Sequence, residues 1–273
     1  MSSSIKTRVI GSKMKKTIIS VMSIMLVLGT TYRGLSYRPT ADQILQTTVK
    51  LNRHLTSLKV LIKTTIFNDL HDEGKIEIPE EIYIKEGGLF RSQRHFAEGE
   101  DIIIQNGRKS LAAVRHEANI DDRRIDTVFP LIFFQTSVEN LLDNLNFFGV
   151  DTSVVTFDRI DKEVTFVIGN RSEKIPGSHV WIDKKGGFPL RFVGYITSGE
   201  ELKVLRADYM GYIRVEKRFW LPTRIEYYRN DTLWTVCTLE HAFPNDALPE
   251  NLFEVSSDLN PYRPLMNFLN VKE

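Results

Sequence analysis

The run His179-Val-Trp-Ile-Asp-Lys-Lys-Gly-Gly-Phe-Pro-Leu-Arg-Phe-Val-Gly-Tyr-Ile-Thr197 decides how the chain is read. His179–Asp183 and Leu190–Thr197 are rich in β-branched and aromatic residues, and Lys184–Phe188 between them carries two glycines and leads into Pro189. A polar, glycine-bearing reversal between two such runs is a hairpin. The pattern repeats on both sides. Thr152–Asp158 and Val164–Ile168 precede it, and Leu202–Val215, Thr223–Tyr228 and Leu233–Phe243 follow, with Arg229-Asn230-Asp231 as a further turn.

The first half has the same texture after one helix. Thr40 is placed to cap that helix, with Gln43 three residues on, and Ile44, Leu45, Leu51, Leu55 and Leu58 recur at helical spacing. From Val60 the period changes. Val60, Ile62, Thr64 and Ile66 alternate with other residues, the mark of a half-buried strand. Asp69–Gly74 is a polar turn, Ile76–Lys85 a strand with Pro79 marking an edge or bulge, and Gly87-Gly88 leads into Leu89–His95. Asp101–Gln105 and Arg108–Val114 flank Asn106-Gly107, a pair suited to the left-handed positions of a type I′ turn. Between the halves lie the apolar Val128–Phe134, which contains Pro130, and a second helix. Ser137 caps that helix, Leu141, Leu142, Leu145 and Phe148 form its apolar face, and Gly149 ends it. Strands this numerous, joined by short turns, form an antiparallel sheet too long to stay flat. The fold class expected is mainly β: a single antiparallel half-open β-barrel with α-helices covering its concave mouth.

Charge gives the compartment. The 273 residues carry 36 Lys+Arg against 35 Asp+Glu, a formal net charge of +1, which argues against a basic nucleic-acid-binding surface. The balance is uneven, however. Residues 1–36 contain Lys6, Arg8, Lys13, Lys15, Lys16 and Arg33 and no acid, and setting these six aside leaves a net of −5. Read from Met14, an alternative start, Lys15-Lys16 precede the apolar Thr17–Gly29, about the length of a signal-peptide core and short for a membrane span. Gly34-Leu35-Ser36 offers a cleavage site before Tyr37. The expectation is an export segment over 1–36, a folded domain over 37–259 and a tail over 260–273, with a periplasmic mature protein. If the segment is retained, it tethers the domain to the inner membrane. The one cysteine, Cys237, lies far from this segment, so no lipidated N-terminus is expected; in Thr235–Leu239 it reads as a small buried apolar residue.

Chemistry-bearing motifs are few. There is no G-x-S-x-G, no phosphate-binding glycine loop and no H-E-x-x-H. His71-Asp72-Glu73, His116-Glu117 and Asp121–Arg124 read as solvated turns, because one short run rarely supplies three converging ligands. No cofactor, metal site or catalytic constellation is expected. Aromatic residues are abundant instead, with 16 Phe, 9 Tyr and 3 Trp. Most of them fill the core, but a curved single sheet under helices has a concave face that is hard to fill, and such barrels hold apolar ligands.

Several stretches resemble the LolA-like lipoprotein carriers. Lys85-Glu-Gly-Gly-Leu-Phe90 with Arg91 and the Asn106-Gly107-Arg108 hairpin, Trp181–Arg191, Phe219-Trp-Leu-Pro-Thr-Arg-Ile-Glu226 and Leu248-Pro-Glu-Asn-Leu-Phe-Glu254 are similar to that family's segments in order and spacing, over most of residues 40–255. The resemblance implies a helix-capped open barrel whose cavity takes lipoprotein acyl chains or another lipid for transfer to the outer membrane. It implies a carrier rather than an enzyme, with an inner-membrane donor and an outer-membrane acceptor as partners. The family's Lys-Arg-Pro, whose arginine helps latch the lid, reads here Lys85-Glu86-Gly87. Related folds also serve as periplasmic sensors that bind a protein partner, and that is the alternative reading. Segments 128–134 and 137–148 are the expected lid and cavity wall. The candidates are Phe129, Leu131, Phe133, Phe134, Leu141, Leu145 and Phe148, with Trp181 and Trp220 as further wall residues; a core-only role is the competing reading for each.

Overall fold

In the computed structural model the described residues are 38–67, 74–97, 99–106, 110–114, 128–171, 176–198, 201–254 and 260–263. Helix α1 (Ala41–Asn52) opens them, and its capping box forms as the sequence implies: Gln43 N–H donates to Thr40 Oγ1 and Thr40 N–H to Gln43 Oε1. Five strands follow as a meander: β1 (Ser57–Phe67), β2 (Lys75–Lys85), β3 (Leu89–Phe96), β4 (Gly99–Asn106) and β5 (Ser110–Val114). Then come α2 (Val128–Phe133) and α3 (Val138–Phe147). Pro130 sits in the first turn of α2, where its missing N–H breaks no helical bond. Ser137 Oγ accepts from Asn140 N–H to start α3, and Gly149, at φ 77°, follows its end. A second meander runs β6 (Val155–Ile160), β7 (Glu163–Gly169), β8 (His179–Asp183), β9 (Pro189–Ser198), β10 (Glu201–Val215), β11 (Phe219–Arg229) and β12 (Thr232–Pro244). A 3-10 turn (Glu250–Phe253) and β13 (Asn260–Arg263) complete the described chain.

All thirteen strands form one antiparallel sheet in the order β13-β5-β4-β3-β2-β1-β12-β11-β10-β9-β8-β7-β6. The two meanders are joined by β1 against β12, from Leu58 opposite Pro244 to Ile66 opposite Thr235. The helical segment α2–α3 lies in the chain between β5, near one end of the sheet, and β6, at the other. No pairing joins β6 to β13 or β5 among the described residues, so the sheet is half open, with the helices packed on its concave face. Among the described residues no helix is long and apolar enough to cross a membrane.

Turn chemistry sets the registers. Asp161-Lys162 and Asn230-Asp231 are two-residue turns with positive φ at both positions, as type I′ requires. The Asn106-Gly107 hairpin departs from the two-residue expectation, because Asn106 pairs with Ser110 and the connection is residues 107–109. The strand expected over Thr152–Asp158 is displaced to Val155–Ile160, since Asp151 bonds Ser153 N–H and holds a turn there. Pro79 falls where β2 pairs with β1 but not yet with β3, so its missing N–H costs no ladder bond. The residues of that connection, the segment 1–37, the candidate ligand runs at 71–73, 116–117 and 121–124, and residues 264–273 lie outside the described residues.

The Lys184–Phe188 turn does more than reverse the chain. Gly187 has φ 74°, and a Cβ there would press on Thr47 of α1, while Thr48 Oγ1 donates to the Gly187 carbonyl at 2.8 Å. Asn52, at the end of α1, donates to the Trp220 carbonyl at 3.1 Å and accepts from Trp220 N–H at 3.0 Å. A turn and a strand distant in sequence from α1 therefore hold it over the concave face. The main core below includes Leu45, Leu58, Ile84, Leu141, Leu145, Phe148, Phe192 and Tyr209, all almost fully buried. A second, small cluster of Val167, Trp181 and Val193 lies on the opposite face, with Arg171 and Arg191 stacked on the Trp181 ring. His179 packs 4.6 Å from that ring and bonds the Gly177 carbonyl through Nδ1.

Two stability effects follow from this packing. Asn52→Ala leaves both Trp220 backbone groups without their buried partner and is expected to cost about 1–3 kcal/mol in urea unfolding. Burial, joined by the nearby Arg171 and Arg191 charges, lowers the His179 pKa from 6.5 to about 4. The unfolded chain thus takes up a proton first. His179 contributes full stability above pH 6.5, and the contribution is lost as pH falls toward 4, on the order of 3 kcal/mol. His179→Gln should flatten that part of the stability profile, and an unchanged slope would contradict this origin.

Candidate functional site

The concave face is built by alternation. In β1 the residues Leu58, Val60, Ile62 and Thr64 point inward, and pairing places Ile84, Ile82, Glu80 and Ile78 of β2 beside them. Across β2–β3, Ile84 meets Phe90 and Glu80 meets Arg94; across β1–β12, Ile62 meets Leu239 and Thr64 meets Cys237. These inward rows do not fill the trough. An apolar cleft remains, walled by Leu58, Val60 and Ile62 on one side and by Leu221, Pro222 and Ile225 of β11 on the other, with Phe129 of α2 over it. It holds about 580 Å³ of space between atoms including its open part. The volume open to the centres of water molecules is only about 50 Å³. By that measure one water needs about 10–15 Å³, so a few waters fit and a long chain does not enter without movement of the wall.

One end of the cleft is charged. Glu80 and Arg94 both line it and are both buried, with Arg94 Nε donating to Glu80 Oε2 at 2.9 Å. Thr64 Oγ1 and Ser92 Oγ each donate to the same carboxylate at 2.5 Å. Burial alone would raise the Glu80 pKa, but the Arg94 charge and these donors outweigh it and hold the carboxyl below its ordinary value. The pair is therefore ionised and hydrogen-bonded, as a buried charge must be. Cys237 Sγ lies 3.6 Å from Thr64 Oγ1 at this end.

A second, polar cleft lies at the edge of the helices, between the β2–β3 turn at Glu86, Gly87 and Gly88 and the α2–α3 connection at Gln135 and Thr136. Asn140 and Asn144 of α3 line it as well. Asn144 Nδ2 also donates to the Leu131 carbonyl at 2.9 Å, which ties α2 to α3. Glu86 stands on this rim and is exposed.

The sequence candidates separate on these surfaces. Phe129 lines the apolar cleft, with its ring 6.1 Å from that of Tyr209. Leu131 and Phe134 are buried and line the polar cleft. Leu141, Leu145 and Phe148 are core residues beneath α3, Phe148 lying edge-on to Phe192 at 5.7 Å. The side chain of Phe133 lies outside the described residues. Trp181 lines neither cleft, because its neighbours Val180 and Ile182 take the concave side and it faces the other. Trp220 is half-buried against Phe188 beside the end of α1. The larger part of the wall, from β1, β2, β3, β11 and β12, was not among the candidates. The β1 alternation was its available signal, and the partners of β1 could not be read without the pairing. Among the described residues no three His, Cys, Asp or Glu side chains come together as a metal site.

No protein-family model matches the chain, and no curated protein matches it. Among solved structures the chain is similar to a LolA superfamily protein from Nitrosomonas europaea, with 16% identity and a TM-score of 0.52 over 80% of this chain and 99% of that one. It is also similar to a domain described as that of an outer membrane lipoprotein-sorting protein from Vibrio parahaemolyticus, with 11% identity, a TM-score of 0.49, and 78% and 95% of the two chains covered. The Pseudomonas aeruginosa MucA/MucB complex gives 11% identity and a TM-score of 0.23, with 76% and 99% covered.

The buried pair gives a stability test of the site. Arg94→Met strands the Glu80 charge and is expected to cost about 3–5 kcal/mol. Joining it with Glu80→Leu should recover most of that loss in chemical denaturation.

Proposed function

We propose that this chain, whose fold is LolA-like, is a periplasmic carrier that binds an acyl chain or another lipid in the apolar cleft beneath α2 for transfer to the outer membrane. The observation that carries the reading is the cleft itself, an apolar space on the concave face with Phe129 over it. Burial there contributes about 25 cal/mol per Å² of apolar surface, or about 0.8 kcal/mol per methylene, so one chain is held without a covalent step. Release needs only a competing apolar surface. The small free volume requires the wall to open on loading, and α2 is the piece we assign to that movement. It is one short helix, and its carbonyl at Leu131 is held by Asn144. Leu131, Phe134, the α3 residues Leu141 and Leu145, and Phe148 at the C-terminal cap of α3 then support the lid rather than touch the ligand. In this reading residues 1–36 direct export, and residues 37–259 form the carrier domain, acting between an inner-membrane donor and an outer-membrane acceptor.

The test is direct. Organic extracts of the purified protein should contain lipid by mass spectrometry, and a fluorescent acyl probe should bind with a stoichiometry near one. Val60→Glu places a carboxylate on the cleft wall and should weaken that probe at least tenfold with the fold retained by circular dichroism. Absence of lipid together with absence of probe binding would end the carrier reading. If a stable envelope protein were then captured by the lipid-free chain, the partner-binding sensor would take its place.

A further inference from the structure

The apolar cleft is not uniform along its length, and strand pairing fixes which end is which. Leu58, Ile84 and Phe90 share one level of the sheet, and Ile62, Glu80 and Arg94 share another, four residues further along β1. At about 3.3 Å per residue the two levels stand roughly 13 Å apart. On β1, β2 and β3 the first level is hydrocarbon, and buried Gln105 of β4 continues it beside Phe90. The second carries an ion pair with two hydroxyls on its carboxylate and buried Asp101 of β4 opposite Arg94, and Cys237 follows one inward row beyond, opposite Thr64.

A ligand that fills the cleft has two orientations. With its tail against Glu80 and Arg94, it replaces water beside a buried ion pair with hydrocarbon. That removes polar surroundings on which such a pair depends. With its polar end there, the tail lies along Leu58, Val60 and Phe90, and oxygen atoms face the charged level. Apolar pockets commonly fix orientation through a few placed polar groups of this kind. We infer that the Glu80–Arg94 level is a head-group subsite, and that the cleft takes a single-chain amphiphile bearing an acyl carbonyl, with the carbonyl at this level and the tail toward Leu58 and Phe90. This rests on the carrier reading and adds to it an orientation and a ligand class: a fatty acid or a monoacyl ester, in preference to a plain hydrocarbon.

The one cysteine reports the orientation. Cys237 lines the cleft one inward row beyond the charged level, opposite Thr64, so an electrophile alkylates it only from the ligand end that reaches that end of the cleft. The full chain is incubated with a 2-bromo fatty acid, tagged beside the carboxyl, or with the ω-bromo acid of equal length. Substitution forms the sulfur–carbon bond, releases bromide and gives the thiol proton to water, and intact mass records it. The 2-bromo acid should modify Cys237 at least tenfold faster after correction for the two reagents' rates with a free thiol, and unlabelled fatty acid should protect. Equal corrected rates, or a faster ω-bromo acid, overturn the inference.

A second measurement keeps the test decisive if the thiol is slow. Displacement of a fluorescent acyl probe should favour the fatty acid or its methyl ester over the alkane of equal length by tenfold or more. The comparison of acid with ester separates a carboxylate ligand from an esterified one. In the folded Glu80→Leu, Arg94→Met double variant, that preference should fall below threefold while the probe still binds. An unchanged preference in the variant, or none in the wild type, overturns the inference. Failure of the acyl probe to bind the wild type is a different result, which removes the carrier reading and this inference with it.

Discussion

The pairing of β1 with β12 is the constraint on which the rest of the structure depends. Each meander needs only hairpins, which form between neighbours in sequence. The β1–β12 ladder joins residues 169 to 186 positions apart, with Leu58 opposite Pro244 and Thr64 opposite Cys237. Its closure makes one curved sheet from two, and the inward rows of both halves then face a common trough. It also places α1, which leads straight into β1, over the seam, where Asn52 reaches the β11 backbone at Trp220. The cost is loop-closure entropy, which grows slowly with length and is offset by a ladder of nine residue pairs.

A second constraint keeps the barrel open. The chain must travel from β5, next to one end of the sheet, to β6 at the other, and it does so through α2 and α3. Those helices fill most of the concave face with Leu141, Leu145 and Phe148, which pack against Phe192 and their neighbours. Beside α2 the filling is incomplete, and there the cleft remains. The short helix α2 roofs this incompletely filled part of the trough, and the proposed movable wall is assigned to it for that reason.

Polar groups inside the trough pull against its apolar character. Glu80 and Arg94 cost desolvation, and Thr64 and Ser92 supply the donors that keep the carboxylate satisfied. The outer face solves a similar problem differently. There Trp181 is covered by two guanidinium groups, and Arg191 in turn is held by both carboxylate oxygens of Asp208. The one arrangement buries an aromatic ring under charge, whereas the other places charge in the wall of the cleft.

Local chemistry determined what the sequence alone could determine. The capping residues Thr40 and Ser137, the reversals at Lys184–Phe188 and Arg229–Asp231, and the alternation along β1 are each governed by residues within a few positions of one another, and each is found where the residues imply. The half-open sheet under helices followed from counting such elements. The turn Asp161-Lys162 has left-handed backbone without a glycine, so composition gave no warning of it. The cleft was legible only as a consequence of curvature. Phe129 was within reach because α2 is apolar in sequence, but Trp181 and Trp220 could not be assigned to a face until the register of β8 and β11 was fixed. Above all, nothing near Glu80 in sequence announces Arg94, Thr64 or Cys237 as neighbours. They meet because strand pairing sets Arg94 opposite Glu80, Cys237 opposite Thr64, and Thr64 on the diagonal from Glu80, and a shift of one residue in any of these ladders would turn those side chains to the other face.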